Sequence, residues 1–133
     1  MGLFLKEHAP GFDHIVTSPA VRARTTAEVI AESLGLDEAA LMQQDDLYLA
    51  SSESLVQAIR RFPDEWEHTG VVGHNPGITY LAEYLTDRPF GNIPTCGVLH
   101  LSCPIDHWAK LRRDACEVLF YQIPRKLPPE TET

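Results

Sequence analysis

Two short stretches of this chain carry residue types that handle anions: Thr17-Ser18-Pro19-Ala20-Val21-Arg22-Ala23 and Gly73-His74-Asn75-Pro76. Arginine presents a planar fork of donors that matches a phosphate in two places at once. Histidine changes charge near neutrality and can donate to, or exchange protons with, the same group. Neither is informative alone, since a lone histidine in a turn is more often structural and a helical arginine is more often solvated. Context raises both, because each follows a short apolar run and stands where a helix begins.

The elements that must position them can be read outward from these residues. Val71 and Val72 read as a buried strand, Asn75 and Pro76 as N-cap and first helical residue, and Ile78, Leu81, Ala82 and Leu85 as the apolar stripe of the helix that follows. Upstream, Ile15, Val16 and Thr17 read as a strand, with Ser18 as the cap and Pro19 in the first turn. Ala23, Ala27, Ile30 and Leu34 form the stripe there, and Gly35 ends the helix. Arg22 therefore falls in a first turn, off the core side. A helix start attracts anions through unpaired N–H groups and the macrodipole, so two such junctions in one sheet can converge on one anion.

Thr17-Ser18-Pro19 with Arg22-Ala23 and Thr26-Ala27-Glu28, followed by Gly73-His74-Asn75-Pro76, resembles the histidine phosphatase superfamily (phosphoglycerate mutase-like), and within it the SixA-type phosphohistidine phosphatases. Further matches at Leu47-Tyr48, Ile93-Pro94-Thr95 and Trp108-Ala109-Lys110-Leu111 extend the likeness over nearly the whole chain. The resemblance implies a three-layer αβα sandwich around a mostly parallel sheet. It implies a phosphoryl hydrolase working through a phosphohistidine intermediate, with Arg22 clamping phosphate and His74 stabilising the transferring group. Ser18 and Asn75 are the remaining candidate substrate-binding residues, Asn75 through its backbone and its cap. No cofactor and no metal is implied.

One departure stands against these agreements. The family's nucleophilic histidine lies in an Arg-His-Gly/Ala motif just after the first strand, and no Arg-His pair occurs among the histidines at 8, 14, 68, 74, 100 and 107. The opening Met1-Gly2-Leu3-Phe4-Leu5-Lys6-Glu7 resembles the end of the helix after that nucleophile loop, so the expectation is a domain that begins after its first strand. That strand is expected to be missing from between the strands at 14–17 and 71–73, leaving unpaired edges. The fold is then either marginal or completed by a neighbour in an oligomer. Two functional readings follow: a phosphohistidine phosphatase whose nucleophile is not in this chain, or a non-catalytic phosphate-binding relic of the same fold.

Composition bounds the rest. At 133 residues and 44% hydrophobic, the chain suits one domain over 1–125, followed by a disordered tail at 126–133 that is rich in proline and acidic residues. Eleven basic against 19 acidic residues give a net charge of −8, which argues against nucleic acid and anionic membrane surfaces. The expected partner is a phosphorylated protein or a small phosphomonoester. Cysteines 96, 103 and 116 are odd in number and lack paired spacing, and a cytoplasmic location is the natural reading. Cys96 and His100 with Cys103 and His107 have the look of a zinc set, but strand alternation puts Cys103 on the opposite face, so convergence is not expected. Ser18 reads as a cap and not a nucleophile, since no Gly-x-Ser-x-Gly elbow surrounds it. Asp46 and Glu53 are the candidates for a general acid.

Overall fold

A computed structural model of the chain describes Leu5 and residues 11–94 and 97–123. The expected tail at 126–133 and most of the opening helical segment lie outside the described residues. Strand β1 (His14–Thr17) leads to helix α1 (Val21–Leu34), β2 (Leu41–Gln43), α2 (Ser52–Arg60), β3 (Thr69–Val72), α3 (Gly77–Thr86), β4 (Val98–Ser102) and β5 (Glu117–Gln122). Among the described residues, no helix is long and apolar enough to cross a membrane.

The sheet order is β2-β1-β3, with both pairings parallel, and β4 and β5 form a separate antiparallel pair. Period-two alternation divides β1 between two cores. Ile15 packs with Ala27 and Ala31 of α1, while Val16 faces the larger core of Leu55, Ile59, Leu81 and Leu85 from α2 and α3. β3 repeats the division, Val72 toward α1 and Val71 toward α2 and α3. Helices thus cover both faces, and near-continuous apolar runs are what such doubly covered parallel strands require. The architecture is the expected α/β layering.

Local signals held at several ends. Gly35 closes α1 in the left-handed region at φ 69°, and its N–H and that of Leu36 satisfy carbonyls of the last turn. Ser51 caps α2 by accepting from the Ser54 amide at 3.2 Å, and Leu55, Ile59 and Phe62 are all buried. At the other end of the β1–β3 ladder, the Asp13 carboxylate accepts from the amides of Glu67 (2.8 Å) and His68 (3.2 Å), fixing where the two strands begin.

The vacancy expected between the strands at 14–17 and 71–73 is not there: β1 and β3 pair directly, His14 against Thr69 through Thr17 against Val72. The discontinuity falls instead between β3 and β4. Ile93 bonds to Asn75 and Thr79 beyond the C-terminal end of β3, while His107 and Trp108 bond to Asp64 and Trp66 ahead of its start, so β4 runs opposite to β3. His68 and His100 stack across this break with ring centroids 5.0 Å apart.

Burial holds the imidazoles of His68 and His100 below their ordinary titration range, and the charge of His68 lowers that of His100 further. Because their folded values lie below the unfolded value of 6.5, their stabilising contribution is complete above that pH and declines as pH falls below it. Urea denaturation between about pH 8 and about pH 5.5 should show falling stability on the acid side, with His100→Phe flattening the decline. An unchanged slope in that variant would assign the acid sensitivity elsewhere.

Candidate functional site

The parallel pairing of β1 and β3 carries both strand-to-helix junctions to the same edge of the sheet, the C-terminal one where open α/β sheets bind ligands. There the imidazole Nε2 of His74 lies 2.7 Å from the hydroxyl of Ser18. Ser18 has no exposure at all, and its oxygen also accepts from the Ala20 amide at 3.3 Å. Ser18 is thus not the N-cap of α1; its buried hydroxyl meets the His74 ring, whose Nδ1 has no partner among the described residues. Tyr48 packs edge-on against the same ring, centroids 5.9 Å apart.

Asn75 and Ser18 were both expected to cap, and neither does. The N-cap of α3 is Pro76 and that of α1 is Ala20, one residue after Pro19, and neither helix has a side-chain cap bond. The Asn75 amide instead donates to the Ile93 carbonyl at 2.7 Å and accepts from the Thr79 hydroxyl, tying the loop before β4 to the start of α3. A tertiary partner displaces a local cap when it satisfies the same polar atoms more completely. The consequence is electrostatic. Whereas α2 has Ser51 and Glu53, α1 and α3 begin without a side-chain cap and without an acidic residue in the first turn. Their N-terminal dipoles are therefore left free for an external anion.

Arg22 sits in the first turn of α1 as expected, exposed, and its guanidinium bonds to no described residue. It does not touch His74; the two are joined through Ser18 and the β1–β3 ladder. Around them stand exposed apolar side chains: Tyr48 at 57%, which the sequence offered only in the Leu47-Tyr48 match, and Val21 at 82% and Leu49 at 65%, which it did not single out. Leu49 has φ 50°, a conformation that a branched side chain adopts only where its surroundings impose it.

The remaining candidates go elsewhere. Asp46 bonds to Arg61 at 2.8 Å on the open surface, and Glu53 is exposed in the first turn of α2; neither meets His74. Cys103 is disulfide-bonded to Cys116, Cα atoms 4.4 Å apart, which corrects the reading of the cysteines as unpaired and removes Cys103 from any zinc set. His107 bonds to Asp64, Cys96 lies outside the described residues, and no three His, Cys, Asp or Glu side chains gather as metal ligands among the described residues.

Gly77 opens α3 with its Cα against Ala50, where an added Cβ would overlap the Ala50 carbonyl oxygen. Backbone cannot yield as a side-chain tip does, so Gly77→Ala should lower stability by about 1–3 kcal/mol. Its urea midpoint should fall, and the His74 ring resonances should shift with it. A variant as stable as the parent would show that the α2–α3 packing gives way freely.

Comparison with known proteins adds the context of this geometry. No protein-family model matches the chain. An uncharacterized protein of Mycobacterium leprae is 27% identical over 93% of this chain and 79% of its own length, and one of Mycobacterium tuberculosis is 28% identical over 93% and 81%. Among solved structures, a protein assigned as phosphohistidine phosphatase SixA from Nakamurella multipartitia superposes with a TM-score of 0.75 at 23% identity, covering 92% of this chain and 77% of that one. One from Agrobacterium tumefaciens gives 0.72 at 21%, covering 92% and 75%. The protein histidine phosphatase SixA solved with tungstate gives 0.75 at 16%, covering 93% and 76%. Parallel β2-β1-β3 sheet, helices on both faces and overall superposition agree: the chain has the fold of these SixA structures.

Proposed function

We propose that this chain holds the phosphoryl group of a phosphohistidine phosphatase-type hydrolase acting on a phosphoprotein. The observation that carries this is the His74–Ser18 contact at 2.7 Å, which locks an imidazole between two uncapped helix starts, with Arg22 in the first turn of one of them. Phosphoryl transfer asks mainly for positioned positive charge around the equatorial oxygens. Arg22 supplies a bidentate donor, His74 a second donor, and Ser18 holds His74 in place. Asn75 acts on the site through its loop, with its side chain committed to Ile93 and Thr79. The tungstate complex of a protein with the same fold adds support, tungstate being a tetrahedral oxyanion like phosphate. The exposed apolar rim of Val21, Tyr48 and Leu49 favours a protein-borne phosphate over a small phosphomonoester.

In the family's reaction the phosphoryl group passes from the substrate to a histidine and then to water. Among the described residues, no histidine but His74 stands at this edge. His14 begins β1, His68 precedes β3, His100 stacks on His68, and His107 pairs with Asp64, all toward the opposite end. That distribution favours a second reading, in which these residues bind phosphate and the 133-residue chain alone does not turn it over. Loss of a covalent nucleophile leaves only the residual catalysis of the electrostatic groups.

Tungstate titration followed by the histidine NMR resonances tests the binding step. Arg22→Lys should weaken affinity about tenfold through lost bidentate geometry, with Arg24→Lys as the unaffected control. Equal weakening by both would reduce the site to net charge. For turnover, this chain is assayed on phosphohistidine beside a version extended through an Arg-His-containing strand and loop, each with a His74→Ala control. Activity is expected only in the extended protein. Comparable His74-dependent rates from both would place the nucleophile within these residues.

A further inference from the structure

We infer that Thr79, a residue outside both anion-handling motifs, is a positioning residue that sets the His74 ring through Asn75. Threonine hydroxyls buried within a helix ordinarily bond back to the backbone carbonyl four residues earlier. Thr86, at the other end of α3, does so, donating to the Ala82 carbonyl at 2.8 Å. Thr79 is as deeply buried, 2% exposed against 6%, and four residues before it stands Asn75. Its hydroxyl donates to the Asn75 side chain instead of to a backbone carbonyl. The Ile93 amide donates to the same hydroxyl at 3.1 Å, and the Asn75 side-chain amide donates to the Ile93 carbonyl at 2.7 Å, so three bonds form a closed cycle. Because Thr79 gives its one proton to the Asn75 oxygen, the Asn75 nitrogen faces Ile93 and the amide has a single orientation.

The cycle holds the turn in which His74 stands. The N-cap of α3, Pro76, has no side-chain cap bond, and the His74 carbonyl accepts from the Ile78 amide at 2.8 Å. Ser18 meets the imidazole from β1 at 2.7 Å, while Thr79 fixes the neighbouring residue from within α3. The ring is thereby located by two elements and not by one. With the Thr79 hydroxyl replaced by a methyl group, the buried Ile93 N–H and the Asn75 oxygen lose their partner, and Asn75, otherwise exposed, is free to turn. The peptide unit between His74 and Asn75 turns with it, and the imidazole leaves its place against Ser18. How this alters anion binding rests on the phosphate-holding reading of His74; the placement of the ring does not.

The test compares Thr79→Val with Thr86→Val in the full 133-residue chain. Both remove a buried hydroxyl from α3 and keep its shape, so both should lower the urea midpoint. Only Thr79→Val should displace the ring nitrogen resonances of His74, recorded without any anion, and Thr79→Ser should restore them. Asn75→Ala, at an exposed position, removes two of the three bonds of the cycle and should displace the same resonances. Adding Thr79→Val to it should move them little further, since Thr79 acts through Asn75. Should Thr79→Val not fold, Thr79→Ala against Thr86→Ala makes the same comparison. Tungstate affinity on the same samples should fall about tenfold in Thr79→Val and stay within about twofold in Thr79→Ser and Thr86→Val. Resonances of His74 unmoved by Thr79→Val, or moved equally by Thr86→Val, would overturn the positioning role. If the unsubstituted chain binds no tungstate while Thr79→Val still displaces His74, the anion reading falls and the positioning role stands.

Discussion

Everything at the candidate site depends on the parallel pairing of β1 with β3. The two strands are far apart in sequence, and the ladder sets their registers so that Thr17 and Val72 end together. Asp13 fixes the starting end through two backbone amides, and the Ser18–His74 contact closes the finishing end. A slip of one residue would turn Val71 and Val72 into the wrong cores and carry His74 away from Ser18. The packing that defines the register is therefore also what aims the imidazole.

The cores enforce this arrangement without polar help. Val16 and Leu55 are almost wholly buried, and Leu55 also lies under the turn that carries His74, within reach of a Cβ at Gly73 or Gly77. The helix starts at the site are the contrast, since they forgo the side-chain caps that α2 retains. Polar capacity is left unused at the starts of α1 and α3, the two helices that follow Ser18 and His74. This division of labour is the usual mark of a site held by a rigid scaffold.

What the sequence disclosed and what it hid divide by range of interaction. Gly35 and the Leu81-Ala82-Leu85 stripe were legible because propensity and period act within a turn or two. The caps were misassigned because Ser18 and Asn75 are good local caps, and only folding brings them His74 and Ile93 as better partners. The adjacency of β1 and β3 was missed for a related reason: strand order is set by which crossovers pack well, and no residue pattern in either strand states it. Tyr48 stood in the sequence only as part of the Leu47-Tyr48 match, since its contact with His74 depends on how the turn after Asp45–Leu47 is presented. The Cys103–Cys116 pairing was likewise invisible until β4 and β5 lay side by side.

Among the described residues β3 pairs on one side only and so does β4, which bears on how these residues behave in a crowded solution. Unpaired strand backbone invites other chains to add on, and natural sheets hold that tendency in check with charge. Here the protection is global, a net charge of −8 spread over a small body that makes like molecules repel at long range. Such repulsion has a reach of about 8 Å at physiological ionic strength and about 3 Å at 1 M salt. Colloidal stability is thus tied to ionic strength: the salt that screens one molecule from the next also lets strand edges that have no partner among the described residues meet.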